Sequence, residues 1–252
     1  MNRRLFTLLC AGLAAAVAAQ CQLVEEFKPP RGNCCLPGAA QNLADQLQDW
    51  NQLGRYHADN EALKKLPPDP KRVVFMGDSI TDIWKLADAF PGKPYVNRGI
   101  SGQTTPQMLV RMYPDVIDLK PAAVVILAGT NDIARNTGPE TLTMIEENFM
   151  AMTELAQAHG INVLLCSVTP ISDYGRRPMS GGRPPAEVLR INAWMREYAA
   201  KVKATYVDYF SALADEKGML KDGYSMDGLH PNAKGFELMT PVVEAAIQKA
   251  LP

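Results

Sequence analysis

A chain of 252 residues, with 47% hydrophobic and 21% charged side chains, is long enough for one large domain or a domain with an appendage. Its formal net charge of -1 shows no basic surplus, which argues against a nucleic-acid binder. Five cysteines include no CxxC pair and no Cys/His cluster at zinc spacing, so no metal site is expected.

The first twenty residues follow the grammar of a secretory signal: a basic "MNRR", an apolar "LFTLLCAGLAAAVAA", and small residues at the end. The apolar run is short for a membrane span, which needs about 20 residues, so residues 1–20 are expected to be removed. No stable span then remains in the mature form. Cleavage near Ala19 or Gln20 removes two arginines and no acid, taking the charge from -1 to about -3. The product is secreted or periplasmic. A lipid on Cys21 is an alternative fate, though Gln20 is a poor fit to the small residue such processing prefers. Export permits disulfides. Cys34 and Cys35 are adjacent and poorly placed to bond each other; Cys166 lies in an apolar run and reads as a buried thiol.

Residues 21–70 read as an N-terminal extension. Its first part is irregular and rich in Pro and Gly. Leu43, Leu47, Trp50 and Leu53 then repeat at helical spacing, predicting one helix over 42–66 that carries His57 on its surface. "PPDP" at 67–70 breaks that helix and opens the main domain, 71–252. From there apolar runs alternate with helical stretches. Strands are expected at 72–77, 95–99, 122–129, 161–168 and 205–210. Helices are expected at 80–90, 104–118, 140–159, 186–203 and 233–250. The continuous runs "AAVVILAG" and "INVLLCSV" suit strands covered on both faces. The alternation predicts an α/β fold with a five-stranded parallel sheet between two helical layers. His159, before Gly160, fits the dipole-stabilised end of the 140–159 helix.

In an open parallel sheet, ligands bind outside the carboxyl ends of the strands. Those ends are followed by "GDSIT" (77–81), "GISGQT" (99–104) and "GTND" (129–132), and the last crossover leads to "DGLHPN" (227–232). Ser79 stands at a strand-to-helix junction; its hydroxyl is a weak nucleophile without an adjacent base. Of three histidines, only His230 lacks a structural explanation, and imidazole takes a proton at neutral pH. Asp227 can reach its Nδ1 side and fix the tautomer. The Ser79 N–H, the Gly102 N–H and the Asn131 amide are candidate oxyanion donors, while turn formation is the simpler role for Gly102 and Asn131. Asp132 reads as a structural acid. The polar loop 173–185 carries Tyr174 and Arg183, either as solvated surface or as a substrate rim. Trp84 either lines the pocket or packs the first helix.

Taken together, "GDSIT", "NRGISGQT", "GTND" and "DGLHPN", in that order, resemble the four blocks of the SGNH hydrolases, the GDSL esterase/lipase family. The resemblance covers roughly residues 71–250. It implies a flavodoxin-like three-layer α/β/α sandwich, a Ser79–His230–Asp227 triad, an oxyanion hole from Ser79, Gly102 and Asn131, and cofactor-free ester hydrolysis through an acyl-enzyme. The short polar first block also resembles bacterial relatives of platelet-activating-factor acetylhydrolase, which favour short acyl groups. The expected substrate is a small-molecule or carbohydrate ester. Lysophospholipids, thioesters and aryl esters are alternatives, and a non-catalytic carbohydrate-binding relative is the rival of another class.

Overall fold

The computed structural model describes residue 44 and residues 47–251. Cys21, Cys34 and Cys35, and with them the expected leader and lipid site, lie outside the described residues. No helix among the described residues is long and apolar enough to cross a membrane.

Five parallel strands, β1 (Val73–Gly77), β2 (Tyr95–Gly99), β3 (Ala123–Leu127), β4 (Asn162–Cys166) and β5 (Thr205–Val207), form one sheet in the order β2-β1-β3-β4-β5. The order reverses between β1 and β3, so the crevice of a doubly wound sheet opens at their carboxyl ends. Gly77, Gly99 and Leu127 share one level of the ladder, which brings the loops after β1, β2 and β3 to a common edge.

Alternate residues of the strands feed two separate cores, as a pleated sheet requires. Val74, Met76, Val124, Ile126, Val163 and Leu165 face one helical layer. That layer contains α4 (Thr105–Val110), α5 (Met112–Asp115), α7 (Leu142–Ala158) and α8 (Pro185–Lys201). Val73, Phe75, Val125, Leu127, Leu164, Cys166 and Val207 face the other. There lie α2 (Ser79–Asp82), α3 (Leu86–Ala89), α9 (Tyr209–Leu213) and α10 (Ala233–Ala250). The remaining described α-helices are α1 (His57–Lys64) and α6 (Thr130–Ile133). This is the expected three-layer arrangement.

Several element boundaries differ from expectation. The helix expected over 42–66 is not continuous: residues 49–56 form turns, and α1 starts at His57. The Asp49 carboxylate accepts from Leu53 N and Gly54 N at 2.8 and 2.9 Å, and Gln52 adopts a φ of 57°. An Asp that captures local backbone N–H groups competes with the helix. The expected 80–90 helix is two short ones, α2 and α3. The 104–118 helix divides at Arg111 into α4, α5 and a 3-10 turn, Ile117–Leu119. The strand expected over 205–210 ends at Val207, because Asp208 caps α9 by accepting from Ser211 N. His57 is exposed, as expected. His159 caps α7, with Gly160 beyond it at φ 71°.

Candidate active site

Gly77 ends β1, and the chain turns at once into α2. A methyl group at Gly77 would lie 2.2 Å from Thr81 Oγ1 and 2.8 Å from the Leu127 carbonyl, so only glycine lets α2 sit this close to the sheet. Asp78 is the N-cap; its Oδ1 accepts from Ile80 N at 2.9 Å. Ser79 is therefore the first helical residue, with its hydroxyl half-buried at the sheet edge.

"DGLHPN" comes to the same edge. His230 Nε2 lies 2.8 Å from Ser79 Oγ, and His230 Nδ1 lies 2.5 Å from Asp227 Oδ2. The other Asp227 oxygen accepts from Leu229 N at 2.9 Å and His230 N at 2.8 Å. Gly228 adopts φ 83°, and a Cβ there would meet the Ser172 carbonyl at 2.6 Å. The tight turn thus folds the acid behind the ring. Beyond it Asn232 caps α10 by accepting from Lys234 N and Gly235 N.

Two acids flank this line with opposite electrostatics. Burial opposes ionisation of Asp227, but the His230 imidazole and the N–H groups of His230 and Leu229 outweigh it. They hold Asp227 well below the usual carboxylate range. Asp78 is fully buried, and that burial pushes it up to about 7. Asp227 is thus the carboxylate that stays charged beside the imidazole.

The three expected oxyanion donors line the same edge. The Ser79 and Gly102 N–H groups donate to no acceptor among the described residues. Gly102 stands at φ 83° with open space where a Cβ would point. Asn131 is buried at the start of α6, and its Nδ2 donates to the Gln103 carbonyl at 3.0 Å, leaving one N–H over. Asp132 is a structural acid, as expected: its Oδ1 accepts from Thr105 N at 2.8 Å and Thr105 Oγ1 at 2.5 Å. Burial raises Asp132, and burial together with the Asp132 charge pushes Glu140 up to about 6. A serine, an imidazole and a charged carboxylate in line, beside unpaired N–H donors, can activate a nucleophile and receive the oxyanion of acyl transfer.

The GDSL-like lipase/acylhydrolase family model matches residues 75–238, which contain all of these groups. The chain belongs to this family.

Among solved structures, a neighbour from Bacteroides fragilis NCTC 9343, described as an acylhydrolase, is 41% identical with a TM-score of 0.75, covering 81% of this chain and 99% of the other. The esterase TesA of Pseudomonas aeruginosa is 32% identical over 151 residues, 58% of this chain and 66% of the esterase. An acetylxylan esterase of Xylanibacter ruminicola is 26% identical over 226 residues, 74% of this chain and 45% of that protein. The match thus spans less than two thirds of either curated relative's length.

The three candidate substrate-contacting residues, Trp84 and the two from the loop 173–185, fall in different places around this site. Trp84 is 3% exposed, in an aromatic cluster with Phe75, Phe90, Tyr209 and Phe236, and it also forms part of the wall of a groove shared with Pro231 and Phe236. Tyr174 is exposed, and its hydroxyl donates to Asp215 Oδ2 at 2.5 Å. Arg183 reaches inward to the start of α6, at Thr130 and Asn131.

Sequence reasoning missed Arg111, the largest fully buried side chain among the described residues. Its Nε donates to Gln103 Oε1 at 2.6 Å, Nη2 to the Gly77 carbonyl at 3.0 Å, and Nη1 to the Arg98 carbonyl at 2.7 Å and Asp115 Oδ2 at 2.9 Å. It ties the ends of β1 and β2 to the loop that presents Gly102. The available signal was an arginine inside the apolar "QMLVRMYPD" with an aspartate four residues on.

Proposed function

We propose that this GDSL-family chain is an exported serine ester hydrolase that removes short acyl groups, acetyl first among them, from small-molecule or carbohydrate esters. Its class, a carboxylic ester hydrolase, follows from the family and from its esterase relatives. The observation that carries the mechanism is the 2.8 Å contact between Ser79 Oγ and His230 Nε2, with Asp227 behind the ring. Ser79 Oγ attacks the ester carbonyl carbon while His230 Nε2 takes its proton. The carbonyl oxygen becomes an oxyanion held by the N–H groups of Ser79 and Gly102 and the Asn131 amide. On collapse, His230 returns the proton to the departing alcohol oxygen. The acyl group stays on Ser79 until water, deprotonated by His230, adds to its carbonyl carbon; collapse breaks the bond to Ser79 Oγ, which takes the proton back from His230, and releases the carboxylic acid. Asp227 keeps the Nδ1 proton in place and stabilises the imidazolium.

The acetylxylan esterase relative and the polar loop 173–185 support a short acyl group on a sugar. The N-terminal "MNRR" and its apolar run support export. A fluorophosphonate probe is expected to label the wild type and not Ser79→Ala; failure to label the wild type would favour a carbohydrate-binding relative without turnover. In a panel of esters, acetates, acetylated xylo-oligosaccharides included, are expected to turn over faster than decanoates.

A second reading, a lysophospholipase or thioesterase, takes its support from an apolar groove of ≈ 690 Å³. It runs between α2–α3 and the start of α10, with Ile83, Ala89, Pro231, Phe236 and Pro241 in its walls. A decanoate preference in the same panel would favour it over the short-acyl reading.

A further inference from the structure

Arg183 ends the loop between β4 and α8, and its guanidinium leaves the loop surface for the active-site edge. Nε donates to Thr130 Oγ1 at 3.0 Å and Nη2 donates to Asn131 Oδ1 at 3.2 Å. The Asn131 amide is thereby held at both ends, because its Nδ2 donates to the Gln103 carbonyl. An amide flip would turn Nδ2 towards the guanidinium, which has donors only and never becomes an acceptor. One orientation remains, and it leaves a single Nδ2–H unused.

The loop is folded so as to deliver this side chain. The Asp173 carboxylate accepts from Met179 N at 2.7 Å, Ser180 N at 2.9 Å and Ser180 Oγ at 2.6 Å. Arg183 N in turn donates to the Met179 carbonyl at 3.0 Å. At the other end of the loop, Ser172 N donates to the Gly228 carbonyl at 2.8 Å, inside the turn that carries Asp227 and His230. One short segment thus touches both the acid–base side and the oxyanion side of the site.

We propose that Arg183 is a positioning residue, which by gripping Thr130 and Asn131 Oδ1 aims the free Nδ2–H of Asn131 at the oxyanion formed on the Ser79 ester. The inference rests on the ester-hydrolase reading. It gives Arg183 a task other than holding an anionic or sugar group of the substrate. Burial weakens the hold of the guanidinium on its proton, and the charges of Asp78 and Asp227 oppose that loss. A residue acting through Asn131 affects the transition state, where the oxyanion exists, and leaves ground-state binding alone.

The test is kcat and KM on p-nitrophenyl acetate, with Tm, for wild type, Ser79→Ala, Arg183→Met, Arg183→Lys, Asn131→Ala and the Arg183→Met/Asn131→Ala double variant. Arg183→Met is expected to lower kcat by about 10- to 100-fold with KM within about 2-fold of wild type. Arg183→Lys, which keeps the charge but not the fork, is expected in between. The double variant is expected within about 2-fold of Asn131→Ala alone, because the arginine then has nothing left to aim. A raised KM at unchanged kcat, an effect that multiplies fully on Asn131→Ala, or full activity in Arg183→Met overturns the proposal. If Arg183→Met does not fold, Thr130→Val removes one anchor and leaves the loop's own bonds intact; several-fold lower kcat is expected, and wild-type kcat refutes the inference. Turnover that depends on Ser79 but ignores Arg183 defeats the inference alone. Turnover independent of Ser79 defeats the ester-hydrolase reading and the inference with it.

Discussion

Asp78 and Asp227 are both aspartates beside the same serine–histidine pair, and their surroundings set them apart. Asp227 is half-exposed and accepts three hydrogen bonds from His230 and Leu229, so it stays ionised. Asp78 is sealed under α2, where burial pushes it up to about 7 from an ordinary 3.8. Between those values the unfolded chain releases the proton while the folded chain keeps it, so wild-type stability falls as pH rises across that interval. Asp78→Asn can still accept from Ile80 N and has no proton to release. Its stability relative to wild type is expected to rise by up to about 4 kcal/mol between pH 4 and pH 8, read from urea unfolding at each pH. A difference flat with pH would contradict the account. Asn131→Ala, which deletes a donor, is expected to lower kcat by about 10²–10³-fold with a modest change in KM.

At the scale of elements, what was legible in the sequence followed local patterning. Runs such as "AAVVILAG" announced strands covered on both faces, and the polar residues ending them announced the site edge. The order of "GDSIT", "GTND" and "DGLHPN" pointed to Ser79, Asn131, Asp227 and His230 as candidates, and the fold brings these residues to one edge. The broken helices were less legible, because apolar spacing outweighed local breakers such as Asp49 and because the inward bonds of Arg111 are non-local. Arg111 interrupts the 104–118 pattern in order to donate inward to Gly77 and Gln103, and Pro114 lacks the N–H that would continue the ladder. The Asp208 cap was readable as an acid three residues before a serine, yet the aromatic "YVDYF" outweighed it as a strand signal. Arg111→Met leaves Asp115 buried without its cation. It is expected to cost about 3–5 kcal/mol in unfolding free energy, where a surface arginine would cost almost nothing.

Across the molecule as a whole, residues 50–60 are fastened to the sheet domain by polar contacts that sequence patterning cannot reveal. Asn60 in α1 donates to Asp115 Oδ1 at 2.6 Å and accepts from Arg98 Nε at 2.9 Å. The Trp50 and Asn51 carbonyls accept from Gln107 and Gln103, at 2.6 and 2.9 Å, on either side of the loop's entry to α4. Residues 50–60 thus brace the loop that presents Gly102. Asn60→Ala is expected to cost about 1–3 kcal/mol by stripping partners from buried charged groups, seen as a lower Tm of one cooperative transition. Loss of α1 in a separate early transition would contradict it. Whether Ser79 is the nucleophile is read from the rate of p-nitrophenyl acetate hydrolysis by wild type and by Ser79→Ala under identical conditions. The variant is expected to be slower by at least about 10³-fold. Equal rates would contradict it.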